Sequence, residues 1–228
     1  SFIILKKFLK FLKENSFKKY PIHLKLNTGL NRVGFGLEDL SDVLSKILKS
    51  SNIEVRSIYS HLAASEDPSE VSFSKKQIDL FDSMSSEIIS KLEYVPMLHI
   101  CNTSGLINFP EAHYDMVRSG IGLYGFSGNR KIKFSPVHRL KSVISQIHTI
   151  SKNESVGYNR SYYSKKPEKI ATIPIGHADG FTRIFGNKKG FVFINGEKAF
   201  ITGNVCMDVI MVDVSNIKCK EGDQVIIF

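Results

Sequence analysis

Residues 22–60, IHLKLNTGLNRVGFGLEDLSDVLSKILKSSNIEVRSIYS, decide how the chain folds. IHLKLN (22–27) and IEVRSIYS (53–60) read as short buried strands. Between them, LEDLSDVLSKILKS (37–50) repeats its apolar residues at helical spacing, and Ser41 or Asp39 could cap that helix. A strand, a helix and a strand in that order predict a parallel pair with the helix outside. The pattern repeats downstream. FSKKQIDLFDSMSSEIISKL (73–92), after the turn-like EDPSE (66–70), predicts a second helix, while VPMLHIC (95–101) and DMVR (115–118) predict two further strands. Upstream, Ile4, Leu5, Phe8, Leu9, Phe11 and Leu12 recur every three or four residues. Lysines run through that segment and no small-residue cleavage site follows, so it reads as an amphipathic helix and not as a secretory leader. Four strands cannot close a barrel of eight. With a helix at the start and the apolar VIIF at the end, the chain is expected to be part of a longer one.

From about residue 134 the character changes. Helical periodicity gives way to short strands separated by Gly, Asn and Asp: KSVISQIHTI, EKIATIPIG, GFVFING, KAFITG, CMDVIMVDV and DQVIIF. Asn195-Gly196, inside INGEKA, is a hairpin signal. The expected fold is α/β followed by all-β, with domains at 1–133 and 134–228 joined through RKIKFSP (130–136), a charge run with a proline.

Composition bounds the partners. A net charge of +9 suits anionic ligands, but 24 of the 31 basic residues are lysines spread along the whole length, and no nucleic-acid-binding signature accompanies them. No apolar run approaches 18 residues, so no membrane span is predicted. Three widely spaced cysteines (Cys101, Cys206, Cys219) form neither a disulfide framework nor a zinc motif, and a reducing, cytoplasmic setting is the expectation.

Four places carry chemistry. Arg32 sits in a glycine-bracketed turn after the first strand, where a guanidinium can hold a carboxylate or phosphate; composition alone favours a plain surface arginine. His61 ends the second strand, either as a functional group or as a satisfied core histidine. HICNTSG (99–105), followed by MVRSGIGLYG (116–125), offers hydroxyls and backbone amides of the kind that receive phosphate, and Arg118 within an apolar run needs a partner. PIGHADG (174–180), with CMD (206–208) downstream, adds a His-x-Asp-Gly turn and an Asp208 that reads as buried.

Taken together, HLKLNTGLNRVGF, SHLAASED, HICNTSG, DMVRSGIGLYG, PIGHADGFTR and GNVCMDVIMVDV resemble, in order and spacing, the alanine racemase family, from about residue 21 to residue 228. The resemblance implies part of a (β/α)8 barrel that binds pyridoxal 5'-phosphate (PLP), followed by an incomplete C-terminal β-domain. It implies interconversion of L- and D-alanine for peptidoglycan precursors, in a cytoplasmic homodimer whose site is shared between subunits. By position, Arg118 would hydrogen-bond the pyridine nitrogen, and His61 would link to that arginine. Thr103 (usually serine in the family) and the amides of Gly120 and Ile121 would hold the phosphate. Arg32 and the amide of Met207 would take the substrate carboxylate. Lys25 matches a lysine that is often carbamylated, and Tyr158 and Glu66 fall near the entryway. The family needs two acid/base groups on opposite faces. The cofactor lysine would lie upstream of Ser1. The other is ordinarily a tyrosine, and this chain has His177 there. The family also includes members fused behind a Mur-type ligase. Two alternatives stand beside this reading: a PLP barrel that does not racemise, which would lack the β-domain, and a racemase of another small amino acid such as serine.

Overall fold

A computed structural model describes residues 1–128 and 132–228; the basic pair at 130–131 in the expected linker lies outside them. The chain divides into two compact units, Ser1–Val137 and His138–Phe228.

The first unit contains β1 (Tyr20–Lys25), β2 (Ile53–Tyr59) and β3 (Met97–His99), which pair in parallel in that order. Helices α2 (Leu40–Leu48) and α3 (Val71–Ile89) make the crossovers, and α1 (Phe2–Glu14) precedes β1. Helix α2 buries Leu40, Val43, Leu44 and Ile47, a stripe at helical spacing, and α3 does the same with Ile78, Phe81, Met84 and Ile88. Asp39 is the N-cap residue of α2, but its side chain makes no capping bond to that helix. It lies in a preceding 3₁₀ turn, where its carboxylate accepts Gly36 N at 3.0 Å, while Ser41 lies within α2. In α1, Leu12 is buried and Leu5, Phe8 and Leu9 pack against the core, whereas Ile4 and Phe11 face outward.

The fourth expected strand, 115–118, makes no ladder. It touches the end of β3 through two separated backbone bonds, Asp115 N to Leu98 O (3.1 Å) and Arg118 N to Cys101 O (3.0 Å). A short helix not anticipated from the sequence, α4 (Thr103–Asn108), follows β3. Asn102 caps it, its Oδ1 accepting Gly105 N at 2.8 Å.

The second unit is all antiparallel: one sheet in the order β10-β9-β12-β4, one in the order β11-β8-β5, and a ribbon β6-β7. Its strands are β4 (Lys141–Val143), β5 (Gln146–Ile150), β6 (Ser155–Val156), β7 (Tyr162–Tyr163), β8 (Glu168–Ile173), β9 (Phe191–Ile194), β10 (Glu197–Phe200), β11 (Ile210–Asp213) and β12 (Gln224–Ile226). KSVISQIHTI is two strands, because Ile144 turns into the core and Ser145 binds Thr172 O, moving the chain from one sheet to the other. The β9–β10 hairpin turns on Asn195 (φ 50°) and Gly196 (φ 84°), the pair of left-handed residues a type I′ turn requires.

Candidate active site

The register of the parallel sheet builds the first half of the site. Lys25 pairs with Tyr59 and Tyr59 with His99, so one residue from each strand stands in a row on the same face. The Tyr59 and His99 rings stack with centroids 5.0 Å apart. Lys25 Nζ lies 5.6 Å from the Tyr59 ring centre, and the Arg118 guanidinium lies 5.4 Å from it. Burial, then the charges of Arg32 and Arg118, lower the Lys25 amine below its ordinary value.

Arg118 extends this row. Nη1 donates to His99 Nδ1, and Nη2 donates to Ser60 O (2.7 Å), Ile100 O (3.2 Å) and His61 Nδ1 (3.2 Å). A guanidinium has no acceptor, so both imidazoles must present a lone pair at Nδ1 and carry their proton on Nε2. His99 then donates from Nε2 to Ser57 Oγ (3.1 Å), and Ser57 Oγ also bonds His23 Nδ1. Burial first, then Arg118 and His23, push His99 down to about 4, so the ring is neutral at pH 7. His61 is also lowered, by burial and then by Arg118, Arg32 and Lys25, with Glu66 opposing. Arg118 itself is drawn below its ordinary value by burial. Among the described residues none of its side-chain bonds uses Nε.

The third part is a polar cradle. Thr103 is buried, and its Oγ1 accepts Gly120 N at 3.0 Å and Gly122 N at 3.1 Å. With both lone pairs engaged, the hydroxyl proton is left to donate. Ile121 N has no partner in the chain among the described residues, and the space above Gly120 is open. Asn102 Oδ1 also accepts from Ser65 Oγ at 2.8 Å, which ties the cradle to the loop after β2.

Arg32 is presented as the sequence suggests, between Gly29 (φ 127°) and Gly34 (φ 122°), with Asn27 Oδ1 accepting the amides of Gly29 and Asn31. Arg32 is exposed and makes no hydrogen bond or ion pair among the described residues. The first unit therefore gathers Lys25, His61, Thr103, Arg118, Gly120 and Ile121, with Arg32 and Glu66 near enough to act on His61 electrostatically. Sequence reading missed His99, Tyr59, Ser57 and His23. It also missed Gln77 on α3, whose amide grips Ala63 N (2.9 Å) and His61 O (3.2 Å) and so fixes the His61 loop.

In the second unit, His177 opens a 3₁₀ turn closed by Gly180 (φ 91°). Its amide donates to Cys206 O and that of Ala178 to Met207 O, both at 3.0 Å. Arg183 Nη2 donates to His177 Nε2 at 2.8 Å. Met207 is exposed and its amide makes no bond in the chain among the described residues. With Gly157, Tyr158, Asp208 and Val209 it lines a shallow cleft of roughly 530 Å³. Asp208 is not buried: Met207 and Asp208 form a bend that puts its carboxylate in solvent, and the strand begins only at Ile210. Among the described residues no cluster of His, Cys, Asp and Glu is arranged to hold a metal.

Comparison with known proteins agrees with this layout. Residues 5–128 match the family model described as alanine racemase, N-terminal domain, and residues 137–228 that described as alanine racemase, C-terminal domain. The chain thus has a barrel-type β/α unit followed by the β-domain of PLP-dependent racemases. It belongs to the alanine racemase family. It is 36% identical over 211 residues to the alanine racemase of Carboxydothermus hydrogenoformans, covering 90% of this chain and 56% of that protein. It is 36% identical over 218 residues to that of Methanococcus maripaludis, covering 92% and 58%. The solved alanine racemase of Clostridium difficile 630 superposes with a TM-score of 0.88 at 30% identity, over 100% of this chain and 60% of that one. That of Bartonella henselae, solved with covalently bound pyridoxal phosphate, gives 0.80 at 30% identity, over 98% and 61%. The chain spans somewhat over half the length of these relatives.

Proposed function

We propose that the full-length protein carrying this chain binds PLP and interconverts L- and D-alanine in the cytoplasm, supplying peptidoglycan precursors. The observation that carries the reading is the donor set of the first unit. A buried threonine hydroxyl with a free proton and a free Ile121 amide suit a phosphate. A guanidinium that spares Nε suits a ring nitrogen. When bound, PLP supplies an electron-withdrawing ring that acidifies the substrate Cα–H.

The chain's residues supply the rest. Arg118 would hydrogen-bond the ring nitrogen without giving up its proton, which would keep that electron withdrawal moderate. Arg32 and the Met207 amide hold the substrate carboxylate. Lowering the Lys25 amine increases its uncharged fraction, the form whose nitrogen adds CO2 with loss of a proton. The resulting carbamate would orient Arg32. His177 is the acid/base group on one face, with a lysine outside residues 1–228 as its counterpart. Tyr158 and Glu66 belong to the entryway. In the same reading the first unit provides late β/α steps of the barrel, and a homodimer joins it to the partner's β-domain.

The test is direct. Full-length protein with PLP should develop the visible band of the bound cofactor and racemise L-alanine faster than L-serine. Cofactor binding without racemisation of either would replace this reading with a non-racemising PLP barrel. An unchanged rate in His177→Ala would remove His177 from the mechanism.

A further inference from the structure

Histidine and tyrosine differ in one respect that matters at position 177: a tyrosine has one polar atom, whereas a neutral imidazole has two, of opposite character. Which nitrogen carries the proton is set by what the other one binds. In this chain Nε2 lies 2.8 Å from Arg183 Nη2. The guanidinium can only donate, so Nε2 must be the lone-pair nitrogen and Nδ1 must carry the proton.

Both backbones are held in place. The turn carrying His177 is anchored by Gly176 N to Asp179 Oδ2 (2.9 Å) and by Phe181 N to Gly176 O (3.1 Å). Arg183 starts the next 3₁₀ turn, capped by Thr182 and closed by Gly186 N to Arg183 O (3.1 Å). The rings of Phe181 and Phe185 pack edge to face at 5.4 Å and bracket Arg183 in sequence. The six-residue spacing between His177 and Arg183 is therefore a fixed reach.

We propose that Arg183 is a positioning residue that sets the tautomer of His177, turning an N–H at Nδ1 outward and occupying the only lone pair of the neutral ring. The chemical consequence rests on the racemase reading. In this state His177 offers a proton donor to a ligand, and it can accept a proton only after Arg183 releases Nε2. The substitution of histidine for tyrosine thus acts as a pair, His177 with Arg183, and not as a lone replacement.

The tautomer is readable without substrate or turnover. Full-length protein labelled with ¹⁵N-histidine, at alkaline pH where the rings are neutral, gives long-range ¹H–¹⁵N correlations whose pattern identifies the protonated nitrogen. This chain contributes seven histidines, and His177→Gln assigns the resonance by its loss. The expected result is Nδ1–H at His177 in the wild type, with Arg183→Leu moving the population toward Nε2–H by roughly fivefold, the weight of one ordinary hydrogen bond. Arg183→Lys, which retains a donor, should restore part of the wild-type pattern. An Nε2–H tautomer at His177 in the wild type overturns the proposal whether or not the Arg183 variants fold. An Nδ1–H pattern unchanged by Arg183→Leu overturns it equally. Both outcomes are independent of whether the enzyme racemises alanine.

Discussion

The contact beneath His177 gives the sharpest stability prediction. A Cβ added at Gly176 would lie 2.1 Å from Met207 O, 2.4 Å from Met207 C and 2.6 Å from Asp208 N. Ordinary contact starts at 3.4 Å, so the two backbone segments must separate by about 1.3 Å. The bonds from His177 N to Cys206 O and from Ala178 N to Met207 O, each 3.0 Å, cannot survive that shift. Two lost hydrogen bonds at about 1 kcal/mol each, with about 1–3 kcal/mol for overpacking, give a cost of roughly 3–5 kcal/mol. Gly180→Ala is the control. There φ is 91° but nothing lies within 4 Å, so only left-handed strain is added, about 1–2 kcal/mol. Urea unfolding of the full-length variants, with amide hydrogen exchange at His177 and Ala178, measures the difference. If Gly176→Ala cost no more than Gly180→Ala, or left both amides protected, the close approach would not hold these turns together.

Two further outcomes follow from the first unit. His99 is held at about 4 against an ordinary 6.5. The native state therefore binds fewer protons than the unfolded one, so the contribution is complete above pH 6.5 and is lost as pH falls toward 4. At 1.36 kcal/mol per pH unit it is on the order of 3 kcal/mol. Unfolding free energies across that window should fall less steeply in His99→Gln, and equal slopes would contradict the assignment. Thr103→Val removes the acceptor of two amides and the donor proposed for phosphate, so PLP affinity should drop roughly 10- to 100-fold. Thr103→Ser should remain near wild type in a cofactor titration, and a Val variant that binds as tightly would show that the hydroxyl is not a phosphate ligand.

Much of the fold was legible because burial wrote it into residue spacing. Helices α2 and α3 show their inner stripes, and β1 and β2 are apolar runs of strand length. The segment 115–118 has the same composition as a strand, but its two isolated bonds to the end of β3 build no ladder. Helix α4 gave no signal: TSGLIN is too short for periodicity and contains a glycine, and only the Asn102 cap marks it. Arg118 and Thr103 stood out by motif. His99 and Tyr59 could not, because their meaning lies in cross-strand register, and the register of β1 on β2 shifts at an irregularity between Ile22 and His23. CMDV reads as strand in sequence, yet Cys206 N bonds Val209 O at 3.1 Å and closes a turn that exposes Asp208.

The string from Arg118 through His99 and Ser57 to His23 looks like a proton wire, but its sense forbids that use. The bonds from Arg118 to His99 and from His99 to Ser57 are both donated away from Arg118. A proton can be relayed only along the direction of donation, so the first proton to move would have to be the guanidinium's own, which a protein does not release. The array beneath the site is therefore a proton insulator. It fixes the hydrogens between Arg118 and Ser57, and on the proposed racemase reading it would keep protons exchanged at the site from draining away through the centre of the fold.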